Sequence, residues 1–473
     1  MRGLVVLCAL LATHARAQDL EANALREPIA LSSSLPDCPG VTEANRLDGG
    51  TLAGLRAGEF LDGPNGSGRY MTATLAVATD AGILGTCVPT TTIGWRWSHH
   101  AAAAIGAWKA LENDRFTLWT SVGTGTDDVM PSVVAPVVYA LEEQNVLVVD
   151  RRATAAAVRR FAAAYEGCKS RDCRELQSAA KVFVAWANTV DKEPQPTKLT
   201  VPPELRVVTV PLELSGLRWV PSLSRYLAVS DDTGLEGNKR KGAPYLFTIS
   251  EAGVVDAKPV VLEGVERVDD LESITLGATP NEFFACTSHA LTKKGKARAE
   301  RRQLLRIELS EGRFSVKDSV DLDALGLTKL AGGQLDIEAI SADRHTLTLG
   351  LKEPLDAKGR AQLFTLDWDT KKLSAARTIT LDVKGTKQGI SDLLSLPDGR
   401  LLLTSNRPKS ADQSTPDRGG ALWLLSKDKE PVLLQHFPGL KPEGLSLTPD
   451  GKRVKVVFDR GPATPQWWEL PLP

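Results

Sequence analysis

One short pattern recurs five times in the second half of the chain, and it limits the fold more than any other feature. The copies are Ser215-Gly216-Leu217, Glu272-Ser273-Ile274, Glu338-Ala339-Ile340, Ser391-Asp392-Leu393 and Glu443-Gly444-Leu445. Their first residues lie 57, 66, 53 and 52 positions apart. Each copy continues as a short apolar run and then a turn, such as Leu396-Pro397-Asp398-Gly399-Arg400 or Thr448-Pro449-Asp450-Gly451-Lys452. Proline presets φ in such turns and glycine takes the left-handed position. A second apolar run follows each time: Tyr226 to Ser230, Phe283 to Thr287, Leu347 to Leu351, Leu401 to Ser405, Val454 to Phe458. Third and fourth runs usually precede the next copy. Four short strands per repeat, at a steady period, predict an all-β propeller; a β-sandwich needs no fixed period. Direct counting gives five blades, or six if one copy is degenerate. The last copy stops at a third strand, Gln466-Trp467-Trp468-Glu469-Leu470, and Arg206 to Val210 is the candidate fourth, closing the ring from its other end.

The repeats begin after a break. Pro194, Pro196, Pro202 and Pro203 crowd one polar stretch, where missing amide donors and fixed φ forbid a continuing helix. Residues 191–204 therefore read as a linker and 205–473 as the propeller. Residues 18–190 read as a mixed α/β or α+β domain. In it Tyr70 to Thr79 and Phe116 to Ser121 have strand patterns, Ser132 to Asn145 a helical one, Val146 to Val149 a strand pattern, and two helices follow.

Residues 1–17 have the three parts of a secretory signal peptide: Arg2, the apolar run Leu4 to Ala12, and the cleavage site Ala15-Arg16-Ala17. The run is too short to span a bilayer, and no later stretch approaches the ~20 apolar residues that spanning needs. The expected location is secreted or periplasmic, where disulfides are permitted. Cys168 and Cys173 would staple a helical hairpin at its turn, and Cys38 with Cys87 is the second plausible pair. Cys286, inside an apolar run, reads as a free buried thiol. Lys and Arg number 57 against 58 Asp and Glu. So even a balance removes the case for non-specific nucleic-acid or membrane-surface binding. Nucleotide-binding, zinc-protease and serine-hydrolase signatures are absent from the sequence.

From about Leu214 to Gly461 the chain resembles a bacterial β-propeller family of unknown function, related in fold to esterase-like and phytase-like propellers. The resemblance is carried by Asp269-Asp270-Leu271-Glu272, Thr287-Ser288-His289-Ala290 with Arg301-Arg302-Gln303-Leu304-Leu305-Arg306, Leu335-Asp336-Ile337-Glu338-Ala339-Ile340, Leu349-Gly350-Leu351-Lys352 with Gly359-Arg360-Ala361, Gly389-Ile390-Ser391-Asp392-Leu393 and Lys441-Pro442-Glu443-Gly444. Ser273 and Ala339 stand where the family has glycine after the glutamate, and Ser391 stands where arginine is common.

In each blade the start of the first strand lies beside the end of the second. Both places are polar here, so Glu272, Glu338, Glu443 and Asp392, with Asp270 and Asp336 nearby, should ring one mouth of the central channel. Two readings stay open. Converging carboxylates are hard oxygen ligands suited to Ca²⁺, with Glu272, Glu338 and Glu443 as the metal set, and Glu272 with His289 can form an acid–base pair. Alternatively the charges form a structural network: Glu338 with Lys352, Glu443 with Arg460, Asp392 with Arg407. Lys239, Arg240, Lys293 and Arg298, on loops above the same mouth, would suit an anionic small molecule or envelope polymer. The function expected is therefore either Ca²⁺-assisted hydrolysis of an ester or phosphoester, or non-catalytic binding or scaffolding in the cell envelope. Neither substrate nor oligomeric state is written in the sequence.

Overall fold

The computed structural model describes the chain from residue 146 onward except 165, 167–170, 209–211, 232–234, 237–238, 241–243, 293, 412–418, 462 and 473; before residue 146 it describes strands alone. The signal-peptide stretch and Cys38 and Cys168 lie outside the described residues, as do the side chains of Cys87 and Cys173. The chain divides into two compact units, Met1–Glu193 and Pro194–Pro473.

In the first unit Ala53–Asp62, Arg69–Thr79 and Gly82–Pro89 pair as an antiparallel three-stranded sheet. A second antiparallel sheet orders Ile29–Ala30, Val146–Val149, Val133–Glu142, Arg115–Val122 and Lys109–Ala110. Val133–Glu142 corrects the helix expected over Ser132 to Asn145. Its four valines are stiff at χ1 and favour a pleated surface, and Val137 and Val138 are fully buried there. Pro136 sits beyond Val146–Val149, which pairs only with Tyr139 to Glu142, so it breaks no ladder on that side. Helices α1 (Arg151–Ala164) and α2 (Arg171–Val190) then pack through Ala155, Val158, Phe183, Trp186 and Ala187. Among the described residues no helix is long and apolar enough to cross a membrane.

The second unit is a β-propeller built from four-stranded antiparallel sets. The first set is Leu214–Val220, Arg225–Ser230, Tyr245–Ile249 and Val260–Glu263. The second is Leu271–Leu276, Glu282–Thr287, Leu304–Ser310 and Arg313–Val320. The third is Asp336–Asp343, Thr346–Glu353, Ala361–Asp367 and Lys372–Ile379. The fourth is Gly389–Ser395, Leu401–Asn406, Gly420–Leu425 and Val432–Phe437. The fifth is Lys441–Leu447, Arg453–Asp459, Gln466–Pro471 and, from the other end of the unit, Thr197–Lys198. First strands touch in a ring, the fifth returning to the first. An apolar cluster fills each junction, for example Phe284, Leu304, Ile337 and Phe364 between the second and third sets. Among the described residues, short helices α3 (Pro203–Val208) and α4 (Leu327–Ala331) and one 3-10 turn, Ala299–Arg301, interrupt a mainly β unit.

The closing strand is thus not Arg206 to Val210, most of which is α3. It comes from within the proline-rich stretch, where Thr197 and Lys198 pair with Trp467 and Gln466. The backbone bonds Leu199 N–H to Pro465 O and Thr200 N–H to Gly253 O continue the seam into the first set.

The five copies of the motif have a shared geometry. Each first strand bulges at the motif. Leu271 faces Thr287 and Ser273 faces Cys286, so Glu272 is an extra residue without a cross-strand partner. Glu338, Ser391 and Glu443 are the extra residues of their own strands in the same way. A bulge re-aims a side chain that regular alternation would send elsewhere. In the first and fifth copies the following position must be small, because neighbouring first strands meet there: a Cβ on Gly444 would lie 2.7 Å from the Ser215 carbonyl oxygen, and one on Gly216 2.8 Å from the Ile274 nitrogen. Ser273 and Ala339, which depart from glycine, are the next smallest choices.

Asp392 occupies the same position in the fourth copy, where the side chain is larger and does different work. Its carboxylate takes both arms of Arg218, at 2.9 and 3.2 Å, and accepts from Ser273 Oγ at 3.0 Å and the Leu445 N–H at 2.7 Å. Arg218 also donates to the carbonyls of Leu217, Ile340, Leu393 and Leu445. One buried pair therefore ties together all the first strands. Its partner is Arg218, not the Arg407 expected, and Asp392 faces the ring's interior rather than a ligand. Removing one partner of such a pair costs about 3–5 kcal/mol, because the other charge is left buried. Arg218→Met should lower the unfolding free energy by that amount. Arg218→Met combined with Asp392→Asn should lose less than Arg218→Met alone, as measured by urea denaturation.

Candidate functional site

The bulges bring glutamates from different sets to one mouth of the channel. Glu272, Asp336 and Glu338 are buried, each with a carboxylate oxygen within 4.8 Å of the others'. Lys352 Nζ lies 2.6 Å from Glu338 Oε1 and 3.9 Å from Glu443 Oε1, so Glu443 shares the same region. Asn406 Nδ2 donates to Glu443 Oε1 at 3.0 Å. Residues 171 positions apart in the chain, Glu272 and Glu443, thus line one mouth, as channel-facing positions of a propeller must.

The cations that meet these acids come from strand ends and a loop. Lys409 Nζ is 3.1 Å from Asp336 Oδ2, and Lys441 Nζ is 3.1 Å from Asp459 Oδ2. Arg301 reaches Asp269 at 2.8 Å and Asp270 at 3.0 Å. Of the pairs expected from sequence, Glu338–Lys352 is present, whereas the contacts of Glu443 are with Asn406 and Lys352 rather than Arg460. The matching is incomplete. Asp336 Oδ1 and Glu338 Oε2 are buried with no hydrogen-bond partner among the described residues.

Electrostatics follow from this imbalance. Burial pushes the Glu272 carboxyl well above its ordinary value, and the nearby Asp231, Asp270, Glu338 and Asp336 push it further. Burial raises Glu338 and Glu443 too, against the opposing pull of Lys352. Burial pulls the Lys352 ammonium down, but Glu338 and Glu443 outweigh it and hold the group charged. Carboxyls forced toward neutrality in a shared pocket are what a multivalent cation would relieve.

His289 does not join the carboxylates. Held at φ 58°, its ring turns inward, with Nδ1 3.0 Å from the Thr287 carbonyl oxygen and Nε2 3.3 Å from the Leu322 nitrogen. That fixes the tautomer: Nδ1–H donates to the carbonyl and Nε2 accepts from the amide. Both ring nitrogens are occupied by backbone, so His289 is a structural side chain and not the acid–base partner expected of it. The free thiol of Cys286 is buried beside it in sequence, as expected, and burial pushes it up.

Of the expected basic rim, Arg298 is half-exposed and 3.9 Å from Asp269. Lys239 and Arg240 form a two-residue strand whose side chains lie outside the described residues, as does Lys293. The basic residues at the mouth that sequence reasoning passed over are Lys409 and Lys441. Lys441 had a signal, two places before Glu443 at the start of a repeat. Lys409 had none, lying in a loop outside the repeat.

No protein-family model and no curated protein matches this chain. Solved structures similar to it are β-propeller proteins. A gluconolactonase from Xanthomonas campestris is 14% identical over 59% of this chain and 97% of its own, with a TM-score of 0.31. The PQQ-bound aldose sugar dehydrogenase from Streptomyces coelicolor is 13% identical over 59% of this chain and 99% of its own, at 0.28. A putative TolB from Agrobacterium tumefaciens is 11% identical over 55% and 82%, at 0.29. The likeness is one of fold.

The buried imidazole gives a signed pH dependence. Burial lowers the pKa of His289 to about 4, against its ordinary 6.5. A folded-state pKa below the unfolded one means that the unfolded chain binds the proton first. This contribution to stability is complete above the unfolded value and is lost as pH falls from there toward about 4. Between pH ~8 and ~5 the wild type should lose about 2 kcal/mol more than His289→Asn, a residue that tolerates positive φ. Urea denaturation at the two pH values tests this.

Proposed function

We propose that Pro194–Pro473 is a five-bladed propeller whose mouth binds a divalent cation, and through it an anionic ligand. The observation that carries this reading is the trio Glu272, Asp336 and Glu338, with two buried carboxylate oxygens still unpaired. Oxygen donors alone, several of them carboxylates, suit Ca²⁺ rather than a softer metal. Three protein carboxylates would leave coordination positions for oxygens from outside, and Lys409 and Lys441, on the same rim, would favour an anion there. The reading includes an exported protein, in the order of signal peptide, N-terminal domain to about residue 190 and propeller. Extracellular Ca²⁺ sites need only Kd values of about 10⁻⁴–10⁻³ M.

Binding is favoured over catalysis because His289 is committed to the backbone. Hydrolysis of an ester or phosphoester is the second reading, and one observation favours it. Glu272 has its carboxyl pushed well up by burial and by the neighbouring acids, which favours the protonated form that a general acid needs. A bound cation would supply polarisation of the ester oxygen.

Calorimetric titration of chelator-treated full-length protein with CaCl₂ should show one site. Glu272→Gln and Glu338→Gln should each weaken it about tenfold or more, while Asp398→Asn, in the turn between the first and second strands at the other end of the fourth set, should not. A wild type that binds no Ca²⁺ and whose melting ignores chelator would replace this reading by a metal-free scaffold. Turnover of a chromogenic phosphoester or carboxylic ester that needs Ca²⁺ and is lost in Glu272→Gln would establish the hydrolase.

A further inference from the structure

Lys352 is placed with more care than a surface ion pair requires. Asp336 faces Glu353 and Ile337 faces Leu351, so Lys352 is itself an extra residue, on the second strand of the third set. Each of the other sets has its single bulge between first and second strands on the first strand, at the motif. Here a second bulge, on the opposite strand, turns a lysine toward the glutamate that the first bulge turned toward it. The backbone is seated as well. A Cβ on Gly389 would lie 2.1 Å from the Lys352 carbonyl oxygen and 2.5 Å from its Cα, so only glycine permits this approach. The side chain is buried, with Nζ 2.6 Å from Glu338 Oε1 and a second acceptor, Glu443 Oε1, at 3.9 Å.

Resting on the reading of the mouth as a cation site, we propose that Lys352 is its resident counter-ion. A divalent cation must displace this side chain from Glu338, and the ammonium then moves onto Glu443. The ammonium holds one oxygen of the carboxylate that a metal would need, while Glu338 Oε2 and Asp336 Oδ1 stay unpaired beside it. Glu443 is prepared for the exchange, since Asn406 already orients its Oε1. In both states Lys352 keeps a carboxylate, so neither leaves a lone buried charge, the costly outcome. The exchange sets what the mouth accepts. A monovalent ion gains too little from three carboxylates to evict an ammonium already in contact. Mg²⁺ sheds its water reluctantly. A large divalent cation with flexible oxygen coordination, such as Ca²⁺, can do so, at an affinity weakened by the competition.

The test is Ca²⁺ titration of the chelator-treated full-length chain, with folding checked by circular dichroism. Lys352→Met removes the competitor and should bind Ca²⁺ about tenfold tighter than wild type. Lys352→Arg keeps the charge and grips carboxylates with two arms, so it should bind several-fold more weakly; it also answers the question should Lys352→Met fail to fold. Glu443→Gln should weaken Ca²⁺ binding in the wild type but not in Lys352→Met, because only a displaced ammonium needs that carboxylate. If wild type binds Ca²⁺ and Lys352→Arg, with or without Lys352→Met, has the same affinity, Lys352 is a structural strut and this inference is overturned. If neither wild type nor Lys352→Met binds Ca²⁺, the cation site itself is wrong and the inference falls with it.

Discussion

The ring closes around one buried ion pair. Arg218 and Asp392 lie 174 residues apart in the chain, yet their hydrogen bonds reach the first strand of every set. Burying two charges is expensive, and the cost is offset only where the remaining donors and lone pairs are met. Here the terminal guanidinium nitrogens and the carboxylate are met by backbone carbonyls, an amide and Ser273, and Arg218 Nε alone of the pair is left unmatched, so the pair specifies how far each strand may approach the axis. Burial pushes the Asp392 carboxyl upward and Arg218 opposes it, which makes the guanidinium the condition for a charged centre. Hydroxyls extend the arrangement outward: Ser446 accepts from the Trp219 N–H, and Ser341 bonds Ser395. The apolar clusters between sets supply most of the stabilising burial, but they are non-directional and leave the channel undefined.

With the axis set, the mouth follows from the bulges. A regular strand alternates its side chains, and an unbroken register would leave Glu272, Glu338 and Glu443 as ordinary members of it. The extra residue lets a buried apolar strand present one polar group without losing its packing on either side. Repeating this device around the ring concentrates carboxylates where water is scarce. The lysines at the same rim then decide how much of that charge is left unmatched.

The repeat was legible because its period, its turns and its second strands all recur in the sequence, and each second strand lies where it was read. The bulge was not, since one extra residue leaves the apolar pattern of a fully buried strand unchanged. Arg218 reads in isolation as one charge in Leu-Arg-Trp, with nothing to name a partner so far along the chain. The closing strand was misplaced because Thr197–Lys198 is two polar residues long and takes its strand character from Gln466–Pro471. The role expected of His289 fails because the direction of its ring is set by a left-handed backbone, which composition does not reveal. Val133–Glu142 was misread because Leu141-Glu142-Glu143-Gln144 carries a helical signal that outweighed the valines before it.

The seam at Thr197–Lys198 gives the beginning of the second unit a mechanical character. Tension on the chain from the N-terminal side would not be absorbed by a slack tether. It would pass directly into the pairing with Gln466 and Trp467, then through Thr200 to Gly253 and Val255. Leu199 and Val201 are buried in the apolar cluster that joins the fifth set to the first, so the load would fall on the junction where the circle is closed. Proteolysis on the C-terminal side of this seam would likewise open the ring rather than trim it. The integrity of the propeller is therefore tied to a segment that by composition resembles a linker.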